Sequence, residues 1–405
     1  MKPINGRAPW RLTALAAALL AAASAAAQET QPSAQEMWRI IQQQQKEIES
    51  LKSKLSETDE KVEATGERVE EVAAKGAEGG MVEGWWKRTS LGGYGEMHYN
   101  GGNADEIDYH RFVLYIGHQF SDRIRLQSEI ELEHSLAGDG APGEVELEQA
   151  YIEFDLTERT RARAGLFLLP IGILNETHEP NTFFGVERNI VENAIIPTTW
   201  WEGGVSGHAT FGRGFSADLA VHSGLNVDPT TYTIRGGRQK VAEAIAEDGA
   251  VTGRLKWTGM PGVELAVSAQ YQDDITQNAE NVNATLLEAH ANIRRGPWSL
   301  RALYARWDLG GAGPKALGRD EQYGYYIEPG YFFPLGEGEL GVFGRYAEVD
   351  NTAGDSVDSK YKQTTVGLNY LPHPSVVLKA DYQFEERPSN QTEDNRVNLG
   401  VGFMF

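Results

Sequence analysis

In the last nine residues of the chain, apolar side chains alternate with Asn398, Gly400, Gly402 and Met404. One face of an extended strand there would carry Val397, Leu399, Val401, Phe403 and Phe405. A period of two is the pattern of a β-strand with one apolar face. A last strand with an apolar outer face and a terminal aromatic residue is typical of bacterial outer-membrane barrels. The pattern therefore favours a transmembrane barrel over a soluble sheet.

The opposite end of the chain predicts export from the cytoplasm. Three basic residues, Lys2, Arg7 and Arg11, precede an apolar run at 12–22. Small residues at 25–27 offer a cleavage site. This is the composition of a secretory signal peptide, which we assign to residues 1–27. The run is too short and too rich in alanine to span a membrane well.

Composition excludes several functional classes. The formal net charge of −21 argues against nucleic acid as a partner, because such binding depends on Lys and Arg neutralising phosphates. The chain has no cysteine, which excludes thiol chemistry and cysteine-ligated metals. No phosphate-binding loop or nucleophile-elbow motif lies in the β region, so we predict no cofactor and no enzyme activity.

Residues 33–75 carry a heptad repeat instead of strand signals. Ile41, Ile48, Leu55, Val62 and Val69 recur at one core position, whereas the second core position includes polar residues. The pattern predicts a parallel coiled coil that sets the oligomeric state, with a single charged helix as the alternative. Residues 76–88 follow as a glycine-rich linker.

Residues 89–405 have a period of two and are predicted to form the barrel. Short turns, such as those near 121–122 and 259–261, alternate with longer polar loops, such as 136–143 and 225–248. This asymmetry and the spacing predict about sixteen antiparallel strands, with the short turns and the coiled coil in the periplasm. A soluble sandwich is the alternative, but the predicted polar faces are crowded with both signs of charge.

The architecture resembles the phosphate-selective porin O/P family, in particular its members with a trimerising N-terminal helix that favour small dicarboxylates. The resemblance includes the segments 165–167 and 170–172 and the terminal Phe405. It implies a homotrimer in outer-membrane lipid that passes small hydrophilic solutes. Family likeness does not name the solute.

Basic residues on the predicted inner face are the candidate selectivity residues, because a guanidinium group binds carboxylate and phosphate well. They are Arg123, Arg125, Arg161, Arg163, Arg254, Lys256, Arg301, Arg345 and Lys379. The alternative is that these residues pair with inner-face acids across neighbouring strands. Those acids are Glu129, Glu131, Glu153, Asp155, Glu264, Glu288 and Asp381.

The loop 170–198 follows the fifth predicted strand and is long for an unstructured connection. Its many apolar residues predict packing against the barrel wall, with the loop narrowing the lumen. The candidate constriction residues are His178, Glu179, Phe183, Phe184, Glu187 and Arg188. No HxxxH or HExxH spacing surrounds His178, so no metal site is predicted.

The sequence therefore predicts an outer-membrane porin for passive diffusion of small hydrophilic solutes, with a lean toward small anions such as phosphate or carboxylates. A structural tether, whose coiled coil docks a periplasmic or peptidoglycan partner, is one alternative. An outer-membrane hydrolase is another.

Overall fold

In the computed structural model, the alternating segments form a closed barrel of sixteen antiparallel strands. The structure describes residues 84–388 and 391–405, together with Lys46. The predicted signal peptide, the coiled coil and most of the linker lie outside these residues. The strands are β1 (Thr89–Gly101), β2 (Asp105–Ser121), β3 (Ile124–Glu133), β4 (Val145–Asp155), β5 (Thr160–Leu168), β6 (Trp201–Gly212), β7 (Phe215–His222), β8 (Ala250–Met260), β9 (Val263–Gln272), β10 (Ala284–Arg295), β11 (Trp298–Leu309), β12 (Glu321–Leu335), β13 (Gly338–Asp350), β14 (Tyr361–His373), β15 (Val376–Glu386) and β16 (Arg396–Met404).

The first and last strands close the barrel. β1 pairs antiparallel with β16, from Tyr94 opposite Met404 to Gly101 opposite Val397. Beyond this ladder, the Gly93 and Phe405 backbones exchange two hydrogen bonds with N···O distances of 3.0 and 2.9 Å. Closure removes the sheet edges, whose unpaired backbone groups would be costly in lipid. The prediction of a barrel of about sixteen strands is confirmed.

Alternation along each strand separates the two faces of the wall. In β9, the apolar side chains of Leu265, Val267 and Tyr271 are exposed on the outside. The intervening Ser268 and Gln270 are buried inside the barrel. This is the apolar-out, polar-in arrangement of a strand whose outer face meets lipid.

Connections at the two ends of the barrel differ in length. At one end, called the short-turn end, β6 and β7 are joined by residues 213–214 and β8 and β9 by 261–262. At the other, the long-loop end, connections include 169–200 and 223–249. The predicted alternation is confirmed with one correction. The sequence predicts a longer polar loop at 101–106, but this first connection is only 102–104, because pairing of β1 with β2 extends to Gly101 opposite Asp105.

Within residues 84–388 and 391–405, helical structure is confined to short segments. These are α1 (Val191–Ala194), α2 (Ala312–Ala316) and the 3-10 turns Trp85–Arg88 and Arg235–Gly237. Among the described residues, no helix has the length and apolar character needed to cross a bilayer.

Candidate functional site: the lumen loop and its charged surroundings

The connection between β5 and β6, residues 169–200, folds back against the inner wall, and we call it the lumen loop. Its buried apolar side chains pack against inward-facing residues of β10 to β13. The indole nitrogen of Trp307 donates to the Ile195 carbonyl oxygen at 2.9 Å. The Tyr326 hydroxyl donates to Glu192 at 2.7 Å. Apolar burial and these hydrogen bonds fix one side of the loop.

Glu192 also stabilises the fold of the lumen loop itself. One of its carboxylate oxygens accepts hydrogen bonds from the backbone N–H groups of Ile173 at 2.8 Å and Leu174 at 2.6 Å. Burial raises the pKa of Glu192, although these hydrogen bonds oppose that effect. The carboxyl group therefore links the start of the loop to α1.

The tip of the lumen loop, residues 182–187, is held by its backbone carbonyl groups. Inward-facing side chains donate to four consecutive carbonyl oxygens: Arg301 to Thr182, Asn369 to Phe183, Arg345 to Phe184 and Lys379 to Gly185. Three of the predicted pore-lining residues, Arg301, Arg345 and Lys379, therefore contact the tip. Phe183 and Phe184 are both buried.

The opposite wall of the barrel binds the same loop. Glu187 accepts a hydrogen bond from Asn100 at 3.0 Å, and its carboxylate lies 3.1 Å from Nδ1 of His98. The Tyr115 hydroxyl donates to Glu179 at 3.3 Å. Burial opposes ionisation of Glu187, but the hydrogen bond with His98 lowers its pKa to about 2. Because β1 and β2 contact one side of the loop and β11 to β15 the other, the loop crosses the lumen.

His178 lies where the lumen loop meets β3 and β4. Its Nε2 atom is 3.4 Å from Glu129 on β3 and 3.4 Å from Glu148 on β4. Burial lowers the pKa of His178, but the two carboxylates outweigh this and raise it to about 10. The sequence indicated His178 as a constriction residue but not its acidic neighbours, because it does not show which strands meet this loop.

Four of the predicted basic residues cluster at the short-turn end. A cavity of about 440 Å³ opens there. Its charged lining consists of Arg123, Arg125, Arg159, Arg161, Asp155, Glu158 and His208. Arg159 was not among the predicted residues, although its position in the turn beside Arg161 could have indicated it. Arginine outnumbers acid in this lining.

Some of these arginines pair with acids on the neighbouring strand. Arg125 contacts Glu153 and also Asp155, the latter at 2.7 Å. Arg163 donates to Glu153 at 2.6 Å, whereas Arg161 lies 3.7 Å from the same carboxylate. One glutamate is therefore shared by three guanidinium groups, and positive charge is in excess.

The remaining predicted basic residues lie further around the wall. Arg254 contacts Asp218 at 2.8 Å and also Glu176 of the lumen loop. Lys256 lies 3.5 Å from Glu264. These two residues follow the cross-strand pairing that was the alternative interpretation.

Most acids on the β3 and β4 wall are covered. Glu129 and Glu131 are each 1% exposed, and Glu131 lies 3.1 Å from Arg111. By contrast, the side chain of Arg161 is 40% exposed. Acids outnumber bases in the whole chain. On this part of the wall, however, the exposed Arg161 faces water and the buried Glu129 and Glu131 do not.

A second loop adds arginines that sequence reasoning missed. Arg235 and Arg238, in the β7–β8 connection, donate to the carbonyl oxygens of Thr198 at 2.8 Å and Thr199 at 2.5 Å. Burial, with repulsion from Arg238 and from the predicted Arg188, lowers the pKa of Arg235 to about 9. That value still leaves Arg235 charged at neutral pH. No local motif distinguishes these residues.

Three clusters of described residues have a geometry that could hold a metal ion. They are Asp108 with His110 and His134; Glu129 with Glu148 and His178; and Glu131 with Glu133 and Glu146. The first lines an opening toward the long-loop end. Acidic and histidine clusters commonly occur without an ion, so grouping alone assigns no function.

Comparison with known proteins identifies the family. The model of the family described as phosphate-selective porin O and P matches residues 92–405. The chain belongs to this porin family. The match includes nearly the whole barrel, and it confirms the resemblance drawn from the sequence. This porin is thus an outer-membrane channel for solutes.

Individual proteins are also similar to this porin in sequence or in fold. An uncharacterized protein of Aquifex aeolicus (strain VF5) is 32% identical over 352 residues, which cover 76% of this porin and 78% of the relative. The anion-selective porin of Comamonas acidovorans has a similar fold, with a TM-score of 0.56 at 13% identity over 78% of this chain and 99% of that chain. The trimer form of OmpT, an outer membrane protein of Vibrio cholerae, has a TM-score of 0.52 at 9% identity. The match covers 78% of this chain and 99% of that chain.

Proposed function

We propose that this porin mediates passive diffusion of small hydrophilic solutes and prefers small anions, such as phosphate or carboxylates. The observation that carries the proposal is the difference in exposure between Arg161, at the short-turn end, and two acids of β3, Glu129 and Glu131. Arg161 has a side chain 40% exposed, whereas Glu129 and Glu131 are 1% exposed. A solute in water meets the exposed groups, and a low-dielectric wall focuses their field.

The short-turn end supports this preference most directly. Arg125 and Arg163 are engaged by Glu153 and Asp155. Within the described residues, Arg123 forms no ion pair, and Arg161 has only the 3.7 Å contact with Glu153. Guanidinium groups with free N–H donors bind carboxylate and phosphate oxygens.

At the long-loop end, arginines again outnumber acids in the lining of an opening. An opening of about 660 Å³ there is lined by the arginines Arg188, Arg319, Arg387 and Arg396 and by the acids Glu106, Asp108 and Glu187. Of these acids, Glu187 is held by His98 and Asn100. Basic residues at both ends would lower the energy of an entering anion along the whole path.

The lumen loop forms the constriction in this proposal. His178, Phe183, Phe184 and Glu187 fix it to the walls, and Arg188 follows the tip and lines the opening at the long-loop end. Arg301, Arg345 and Lys379 would act mainly by holding the tip. Arg123 and Arg161 would act on the solute, whereas Arg163 is engaged by Glu153.

We further propose a homotrimer in outer-membrane lipid, with the coiled coil of residues 33–75 in the periplasm. Support comes from the heptad repeat of the sequence and from the trimeric form of the Vibrio cholerae relative by fold. The coiled coil would stabilise the assembly and offers a surface for a peptidoglycan or other periplasmic partner. The proposal assigns no catalytic reaction to the chain.

Solute entry into proteoliposomes tests the function. Purified protein is reconstituted into vesicles, and entry of succinate is compared with entry of putrescine, a dication with the same number of carbon atoms. We expect both to enter, with succinate faster. Faster entry of putrescine would contradict the anion preference. No entry of either would contradict the porin function and favour a tether.

A further inference from the structure

Three buried side chains converge where the lumen loop meets the wall. They are His178 of the loop, 2% exposed, Glu129 of β3, 1% exposed, and Glu148 of β4, 0% exposed. The Nε2 atom of His178 lies 3.4 Å from one oxygen of each carboxylate. Buried groups of this kind are nearly always hydrogen-bonded, so their facing atoms require an explanation.

The facing atoms are those that lack hydrogen bonds. Within the described structure, Nε2 of His178, Oε1 of Glu129 and Oε2 of Glu148 have no hydrogen-bond partner. At 3.4 Å from each oxygen, Nε2 is directed at neither with hydrogen-bond geometry. These three potential ligand atoms all lie within 4.8 Å of one another.

The other polar atoms of the same side chains are anchored. Nδ1 of His178 lies 3.2 Å from the Asn175 carbonyl oxygen. Gln149 donates to the second oxygen of Glu129 at 2.6 Å, and Thr199 donates to the second oxygen of Glu148 at 2.7 Å. Such outer partners orient metal ligands, and with Nδ1 donating to this carbonyl, Nε2 is the ring nitrogen that a metal ion would occupy in place of a proton.

The distances also fit a metal centre. Ligand atoms lie about 2.0–2.1 Å from tetrahedral Zn²⁺, which places neighbouring ligand atoms about 3.3–3.4 Å apart. The two observed separations are both 3.4 Å. One imidazole and two carboxylates suit a divalent first-row transition metal, and the two negative charges would neutralise it.

We propose that His178, Glu129 and Glu148 bind a divalent transition-metal ion of the Zn²⁺ class, which fixes the lumen loop to the barrel wall. The site is separate from the anion path of the proposed function. The buried hydroxyl of Tyr94 belongs to a ring that neighbours His178. That hydroxyl has no described hydrogen-bond partner, and the Tyr94 and His178 ring centroids are 6.0 Å apart.

A second buried histidine of the barrel provides an internal contrast. His290 lies between Glu288 and Glu264, but a different ring nitrogen faces each acid, at 2.7 and 3.4 Å. That arrangement suits an imidazolium ion that donates in both directions. It does not direct one lone pair at a common point, so His290→Ala is a matched control for His178→Ala.

Zinc titration of the full-length protein tests the proposal. Protein in detergent is stripped with EDTA, dialysed and titrated with Zn²⁺ by calorimetry, with bound metal counted by mass spectrometry. We expect one ion per chain for the wild type and His290→Ala, and none at this site for His178→Ala. Thr199→Val keeps every ligand and should bind on the order of 10- to 100-fold more weakly.

Cobalt provides a readout that a purely structural role would not change. Co²⁺ bound at this site should give the visible absorption of a low-coordinate centre in the wild type, and Glu148→Gln should abolish it. Heat-modifiable gel migration identifies folded barrels, so only folded variants are compared. Failure of the wild type to bind stoichiometric Zn²⁺, or equal binding by folded His178→Ala, would show that the cluster is a proton-sharing ion pair and overturn the proposal.

Discussion

The ammonium group of Lys379 donates a hydrogen bond to the carbonyl oxygen of Gly185 at 2.8 Å. The same ammonium lies 3.6 Å from the centroid of the Phe183 ring. A lysine on β15 thus holds the tip of a loop that begins after β5. Because it is 5% exposed, it has little access to passing solute. Its role is to position the loop.

Removal of this amino group should loosen the tip. Hydrogen bonds to charged groups contribute about 1.5–3 kcal/mol, so Lys379→Ala should raise single-channel conductance and current noise in planar bilayers. Lys362→Ala is the control, because the ammonium group of Lys362 pairs with the exposed Glu386, at 3.4 Å. If both variants conduct like the wild type, the tip does not limit the current.

The glycines on the inner face of β16 make room for the lumen loop. A Cβ atom at Gly402 would lie 2.4 Å from Cβ of Pro180, whereas one at Gly344 would meet nothing within 4 Å. Gly402→Ala should therefore cost about 1–3 kcal/mol through overpacking. We expect a lower temperature of heat modification for Gly402→Ala and no change for Gly344→Ala. Equal behaviour of the two variants would contradict the close packing of the loop.

Acid should weaken the attachment of the loop through Glu187. Its folded-state pKa of about 2 lies below the ordinary glutamate value of about 4.3. A depressed carboxyl pKa contributes stability that is present above the unfolded-state value and lost as pH falls through the folded one. The stability difference between wild type and Glu187→Gln should stay constant from about pH 7 to 5 and shrink between about pH 4 and 2. A difference independent of pH would contradict this role.

The strands were predictable because each shows an alternation of apolar and polar residues within its own local sequence. Leu265, Val267 and Tyr271 alternate with polar residues in the sequence, and the structure turns the former outward. The turns between them follow from local composition. The sequence places the glycines at 400 and 402 on the face opposite the apolar one. Why small residues are needed there, namely the close contact with Val186 and Pro180, depends on the folded loop.

The site was less predictable because its contacts join distant residues. His178 faces Glu129 and Glu148, which are separated from it by whole strands. Arg235 and Arg238 reach the lumen loop from another connection. The sequence gives the charge of a residue but not its exposure. It therefore could not decide whether acids or bases face the solute in the lumen.

Reversal potential in a salt gradient is the most direct test of an anion-preferring porin. Wild-type protein in a planar bilayer is compared with the double variant Arg161→Ala and Arg163→Ala, with the exposed Arg306→Ala on β11 as a control. The account predicts a wild-type potential of the sign that denotes anion selectivity, a marked fall in the double variant, and no change in the control. A cation-selective wild type that the double variant leaves unchanged would contradict it.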